Sequence, residues 1–245
     1  MNPYVPFCGV PPGPAELLGR WTFDPVLLAG LAVALAGVLL STRGAARRHP
    51  VLGWALVALL FVSPICAASM ALFSARVAQH LLLTLVAAPL LAPLLRSRAP
   101  APIAAATLFA ALFWLWHVPG PYALTLQSDL AYWAMHLSLL GAATLLWAGL
   151  RTRVQTAPFG SVLALAATAS QMTLLSVLLI VSDGLWHPWH ALTTAPFGIT
   201  AMADQALAGA FMWVAGGLIF AVLVAGLVLR MLGPHALSRP PMTPR

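Results

Sequence analysis

Residues 203–232, ADQALAGAFMWVAGGLIFAVLVAGLVLRML, form a long apolar run broken by charge only at Asp204 near one end and Arg230 near the other. A run of about 20 apolar residues is long enough to cross the hydrocarbon core as a helix, the form in which a single segment satisfies its own backbone hydrogen bonds. This run is longer than needed, and tilt or an interfacial first turn absorbs the excess. Six further runs precede it, from Phe23 to Thr42, Val51 to Leu72, Arg76 to Leu95, Ala101 to His117, Asp129 to Leu150 and Phe159 to Val181. The composition agrees. A 245-residue chain with 61% hydrophobic and 7% charged residues and a mean hydropathy of +0.93 cannot hide that much apolar surface in a water-soluble globule. The expected fold is all-α, a seven-transmembrane-helix bundle over residues 23–232. A Pro/Gly-rich arm at 1–22 precedes it, and a short tail at 233–245 follows.

Charge sets the expected orientation, because short loops rich in arginine stay cytoplasmic while acidic residues contribute little to the bias. Arg43, Arg47 and Arg48 follow the first run, Arg96 and Arg98 the third, and Arg151 and Arg153 the fifth, while Arg230, Arg239 and Arg245 close the chain. The opposite face has only Arg20 and Arg76, and it gathers all five acidic residues, Glu16, Asp24, Asp129, Asp183 and Asp204. Seven spans then place the N-terminus, with its exposed arm, outside and the C-terminus in the cytoplasm. The net charge of +7 is an insertion signal into the lipid bilayer and not a nucleic-acid footprint, since the basic residues sit in short loops between spans. The opening residues lack a basic start, an apolar core and a small-residue cleavage site, so they are not read as a removable signal peptide.

Several chemistries drop out. There is no lysine for a retinal Schiff base. The two cysteines, Cys8 in the arm and Cys66 in the second run, form no CxxC or CxxCH motif; a disulfide between them would have to reach into the outer end of the bundle. Asp183 and His187 have i to i+4 spacing, yet Ser182 lacks a nucleophile elbow, so no hydrolase is assembled and the chain is not expected to be an enzyme.

An ionisable group inside a span is costly and marks a candidate site. His80, His117 and His136 fall within one outer slab about 10 Å deep by helical rise, although the chain reaches it from different directions. Converging neutral imidazoles are a common transition-metal site, and thioethers or thiols shift the preference towards copper(I). The additional candidates are Cys66, Met70, His187, His190 and Met212, with Asp204 and Gln205 as acceptors that could orient an imidazole. Each has a structural alternative. Methionines fill gaps in apolar cores, Asp204 suits a helix N-terminus, and His187 and His190 lie between Trp186 and Trp189 in a loop suited to interfacial anchoring. Pro64 is expected to kink the second helix, and Pro89 and Pro93 the third.

The stretches SPICAASMALFSARVAQHLLLTLVAAPLL (63–91), LFWLWHVPGPYALTLQSDLAYWAMHLSLL (112–140) and MADQALAGAFMWVAGGLIF (202–220) resemble the polytopic CtaG-type cytochrome c oxidase assembly proteins. The resemblance implies seven helices in the bacterial inner (plasma) membrane and a role in oxidase maturation. It also implies copper support at the outer face, with an oxidase subunit or a copper-donor protein as partner. The family pattern pairs histidines four residues apart on the third and fifth helices; here Arg76 and Tyr132 stand at the first position of each pair. Two other readings remain open. One is a haem-binding electron carrier or haem-modifying oxidoreductase using two of the histidines as axial ligands. The other is a metal-free scaffold whose Gly216 and Gly217 let a partner helix approach closely.

Overall fold

The computed structural model describes residues 4–232, and all regular structure within them is helical. In chain order the main helices are α1 (Pro25–Ser41), α2 (Gly44–Val62), α3 (Pro64–Ala71), α4 (Phe73–Arg98), α5 (Pro102–His117), α6 (Pro119–Leu124), α7 (Asp129–Arg153), α8 (Pro158–Val181) and α9 (Ala201–Leu232). Five of them, α2, α4, α7, α8 and α9, are long and apolar enough to cross a membrane, while α1 and α5 are apolar but shorter. The tail beginning at residue 233, with His235, Arg239 and Arg245, lies outside the described residues.

Local chemistry fixes the helix starts. The Asp24 carboxylate accepts from the Leu27 amide at 2.8 Å, and the Ser128 and Thr200 hydroxyls do the same for Ala131 and Ala203. Each such cap satisfies one of the orphan donors of a first turn. Proline opens α1, α3, α5, α6 and α8, at a position where its missing N–H costs nothing.

The second apolar run is two helices and not one kinked span. Ser63 is extended, with φ −78° and ψ 170°, because the ring of Pro64 disfavours a helical residue before it. Leu72 is extended as well, so α3 stands as a short separate helix leading into α4.

Proline also reshapes α4. Residues Leu82–Ala87 are wound as a π-helix, with the Ala88 amide bonded to the Leu83 carbonyl five residues back, and Ala92–Arg98 tighten to a 3₁₀ helix. In the π register Pro89 would serve the Thr84 carbonyl but has no N–H to give. The Trp147 indole donates to that carbonyl instead, at 2.8 Å. The expected proline distortion in α4 is therefore a change of winding, sealed by a side chain from α7.

Helices α4, α7, α5, α8 and α9 pack as a ring, with α2 against α4 and α1 against α2. Contact between α8 and α9 is close at Gly209, where an added Cβ would lie 2.8 Å from the Ser176 carbonyl oxygen. Loop and arm close the histidine-bearing end. Trp189 and Thr193 donate to the Met70 and Ala71 carbonyls at 3.0 and 2.6 Å, tying the 182–200 loop to α3. The arm is pinned at its far part instead of projecting freely. Cys8 is disulfide-bonded to Cys66, Phe7 stacks on Tyr132 at 5.3 Å, and the Tyr4 hydroxyl donates to Asp129.

Candidate metal centre

The centre is built on the first turns of α4. These turns begin under an unusual cap: the Asp204 carboxylate, from α9, accepts from the backbone amides of Phe73 and Ser74 at 2.6 and 3.2 Å and from the Ser74 hydroxyl. A buried carboxylate at a helix N-terminus satisfies orphan donors and complements the helix dipole. Asp204 thus caps a neighbouring helix and is hydrogen-bonded to no imidazole. Gln205 is likewise structural, accepting from the Trp186 amide and donating to the Leu179 and Gly184 carbonyls.

One turn into α4, Arg76 is fully buried. Its guanidinium donates to the Thr125 hydroxyl at 2.8 Å and to the Met70 sulfur at 3.6 Å, and lies over the rings of Tyr122 and Tyr132. No carboxylate pairs with it; the one ion pair among the described residues joins Arg20 and Glu16. Met70 is therefore engaged with a cation, and its sulfur is not part of the histidine cluster. Cys66, bonded to Cys8, offers no free thiolate, which corrects its place among the candidate ligands.

One further turn along, His80 meets His136 of α7, Nε2 to Nε2 at 3.3 Å. The His136 Nδ1–H donates to the Tyr132 carbonyl at 2.9 Å. His117 repeats the device on α5, its Nδ1–H donating to the Phe113 carbonyl at 2.6 Å. A carbonyl can only accept, so both rings carry the proton on Nδ1 and a lone pair on Nε2. A backbone acceptor that fixes tautomer and ring direction in this way is the usual companion of a metal-ligating histidine.

His117 and His80 also line a small, partly open space of about 20 Å³ between the ring helices. Leu139 of α7, Met172 of α8 and Met212 of α9 complete its wall. The three expected histidines are thus linked through His80, which touches His136 on one side and the chamber on the other. They do not close as a cage: among the described residues, no three His, Cys, Asp or Glu side chains converge to hold an ion. Met172 was not legible as a candidate; its only signal was the polar pair Gln171 and Thr173 beside it.

The two loop histidines differ from these. The His190 Nε2 accepts from the Tyr122 hydroxyl at 2.7 Å and its Nδ1 faces the Ala71 carbonyl at 3.4 Å, so both nitrogens are committed. His187 lies flat on Tyr122 at 3.8 Å and beside Phe73, and neither of its ring nitrogens has a partner among the described residues. Burial, then the charges of His117, His190 and Arg76, lower its pKa to about 2. Burial, then Arg76, holds His190 at about 3, and burial pushes Tyr122 up to about 12.

An apolar helical bundle with imidazoles and thioethers around one small central chamber is an integral-membrane protein with a polar site buried at one end. The chain belongs to the cytochrome c oxidase caa3 assembly factor family, whose model matches residues 92–233, more than half of its length. The matched segment holds His117, His136, Met172 and Met212, whereas His80 and α3 precede it. No curated protein and no solved structure matches the chain.

Proposed function

We propose that this protein matures cytochrome c oxidase from within the bacterial plasma membrane, as a non-catalytic factor that holds copper on His80, His117 and His136 at the outer face. In this reading all seven apolar helices span, the arginine-rich turns are cytoplasmic and the N-terminal arm is outside. The carrying observation is the His80–His136 separation of 3.3 Å. Two imidazole nitrogens bound about 2.0 Å from one ion at the tetrahedral angle stand about 3.3 Å apart. His136 and His117 already present Nε2 lone pairs, so the ion meets preset ligands.

A carrier needs few, exchangeable ligands, and an open set of neutral imidazoles suits release better than a closed thiolate cage. An oxidase subunit, or a copper donor in the reverse direction, would exchange ligands with this set one at a time. The same geometry weighs against haem. Two axial nitrogens on opposite sides of an iron stand about 4 Å apart, by metal–imidazole bond length, and rings already at hydrogen-bond distance leave no gap for a macrocycle. A partner-helix role for Gly216 is weakened too, because that glycine packs on Met172 inside the bundle.

The test is copper(I) retention by the purified protein and by the H80A/H117A/H136A variant. The wild type is expected to keep copper through desalting and the variant to lose it. Equal retention removes the site. Normal assembly of the oxidase copper centre in cells carrying the variant would favour a metal-free scaffold.

A further inference from the structure

We infer that the central chamber is a copper(I)-selective site in which the thioethers of Met172 and Met212 join His80 and His117. The inference rests on the copper reading above; it adds the oxidation state and two sulfur ligands on the chamber side of His80, away from His136.

The chamber has the size of a single guest. About 20 Å³ is little more than the space that one water-sized sphere requires. Each of the five ring helices contributes to its wall, and among the described residues the only side chains there with a soft donor are Met172 and Met212, which line the space together with His80 and His117. Among the described residues no carboxylate or thiolate lines it; Asp204 is spent on the α4 cap and Cys66 on its disulfide.

Two imidazoles and two thioethers are neutral and partly soft, the donor set that prefers copper(I) to zinc(II) or copper(II). Charge points the same way. Arg76 is four residues from His80 and on the same face of α4, with no anion beside it. A divalent ion meets twice the repulsion a monovalent one does, and the desolvation penalty of an apolar chamber grows faster still with charge.

Backbone features hold the sulfurs in place. Gly216 has no Cβ where Met172 lies; one would fall 2.7 Å from the Met172 methyl carbon. Met212 opens a π-helical segment, Met212–Gly217, and the π-helix of α4 begins two residues after His80. Such π-turns inside α-helices are frequent at functional sites. Two of them bordering one chamber set the direction of a ligand from each side.

The experiment measures anaerobic copper(I) affinity by competition with a chromophoric chelator, together with zinc(II) affinity, for the full chain in detergent. The proteins are the wild type, M172L/M212L and H80A/H117A/H136A. Methionine to leucine conserves volume, so the bundle is expected to fold. The double methionine variant should bind copper(I) at least tenfold more weakly with zinc(II) affinity unchanged. X-ray absorption on the copper(I)-loaded wild type should show sulfur in the first coordination sphere, a readout that needs no variant. Unchanged copper(I) affinity in M172L/M212L, or nitrogen-only coordination in the wild type, overturns the methionine site while leaving the histidine site standing. A wild type that binds no copper(I) overturns both.

Discussion

Helix histidine His136 and loop histidine His190 lie at the same end of the bundle and are equally buried, yet their hydrogen bonding differs. His136 and His190 are each about 1% exposed. His190 has both nitrogens occupied and serves as a brace between Tyr122 and α3. His117 and His136 each spend Nδ1 on the carbonyl four residues back and leave Nε2 to face another imidazole or the chamber. Burial alone does not separate His190 from His136; what Nε2 faces does, a tyrosine hydroxyl in the first and a second imidazole in the other.

The sharpest test of this contrast is Asp204. Its removal in Asp204→Ala strips the cap from α4 and is expected to cost about 3 kcal/mol, in the range for a buried charged acceptor. A thermal unfolding curve in detergent checks this, and copper(I) stoichiometry in the folded fraction should be unchanged. A stable variant with lost copper would instead make Asp204 an orienting group for an imidazole.

Next is a paired substitution. His190→Ala orphans the Tyr122 hydroxyl and leaves a void, for a loss of about 2 kcal/mol, with copper(I) affinity retained. His117→Ala should do the reverse in emphasis, weakening copper(I) at least tenfold. If both variants shift copper equally, the division between brace and ligand fails.

The smallest effect is a slope. Unfolded histidine titrates near 6.5, whereas folded His187 and His190 sit at about 2 and about 3. Below pH 6.5 the unfolded chain therefore binds more protons, and stability present above that pH is lost as pH falls. The loss is at most about 1.4 kcal/mol per pH unit for each histidine. His187→Phe should flatten the acid limb of the unfolding midpoint between about pH 6 and pH 4; an unchanged slope would mean that His187 is not held neutral by its surroundings.

The helical layout was legible because each apolar run is long and bounded by proline, caps or arginine, so helix ends fall within a few residues of expectation outside the second run, which starts at Gly44 and breaks at Ser63. His80 and His136 could be placed in one layer by counting rise along α4 and α7, and they do meet. What escaped the sequence was non-local. Asp204 suits the start of its own helix, and only the fold shows it capping α4, 131 residues away from Phe73. Met172 sits in mid-span, where methionine ordinarily fills core space, and its position beside His80 depends on Gly216 of another helix. The break at Ser63 was signalled by Pro64, but its size was set by the second extended residue at Leu72.

The Cys8–Cys66 bridge carries a consequence for sidedness. Crosslinked thiols persist in oxidising compartments and are reduced in the cytosol. A staple that fastens the arm to α3 is the chemistry expected in the proposed orientation, with the arm and the imidazoles beneath it on the extracytoplasmic side. Arginine bias is a matter of translocation and sulfur oxidation a matter of redox poise, so reversing the proposed orientation would have to overturn two unrelated forms of chemistry.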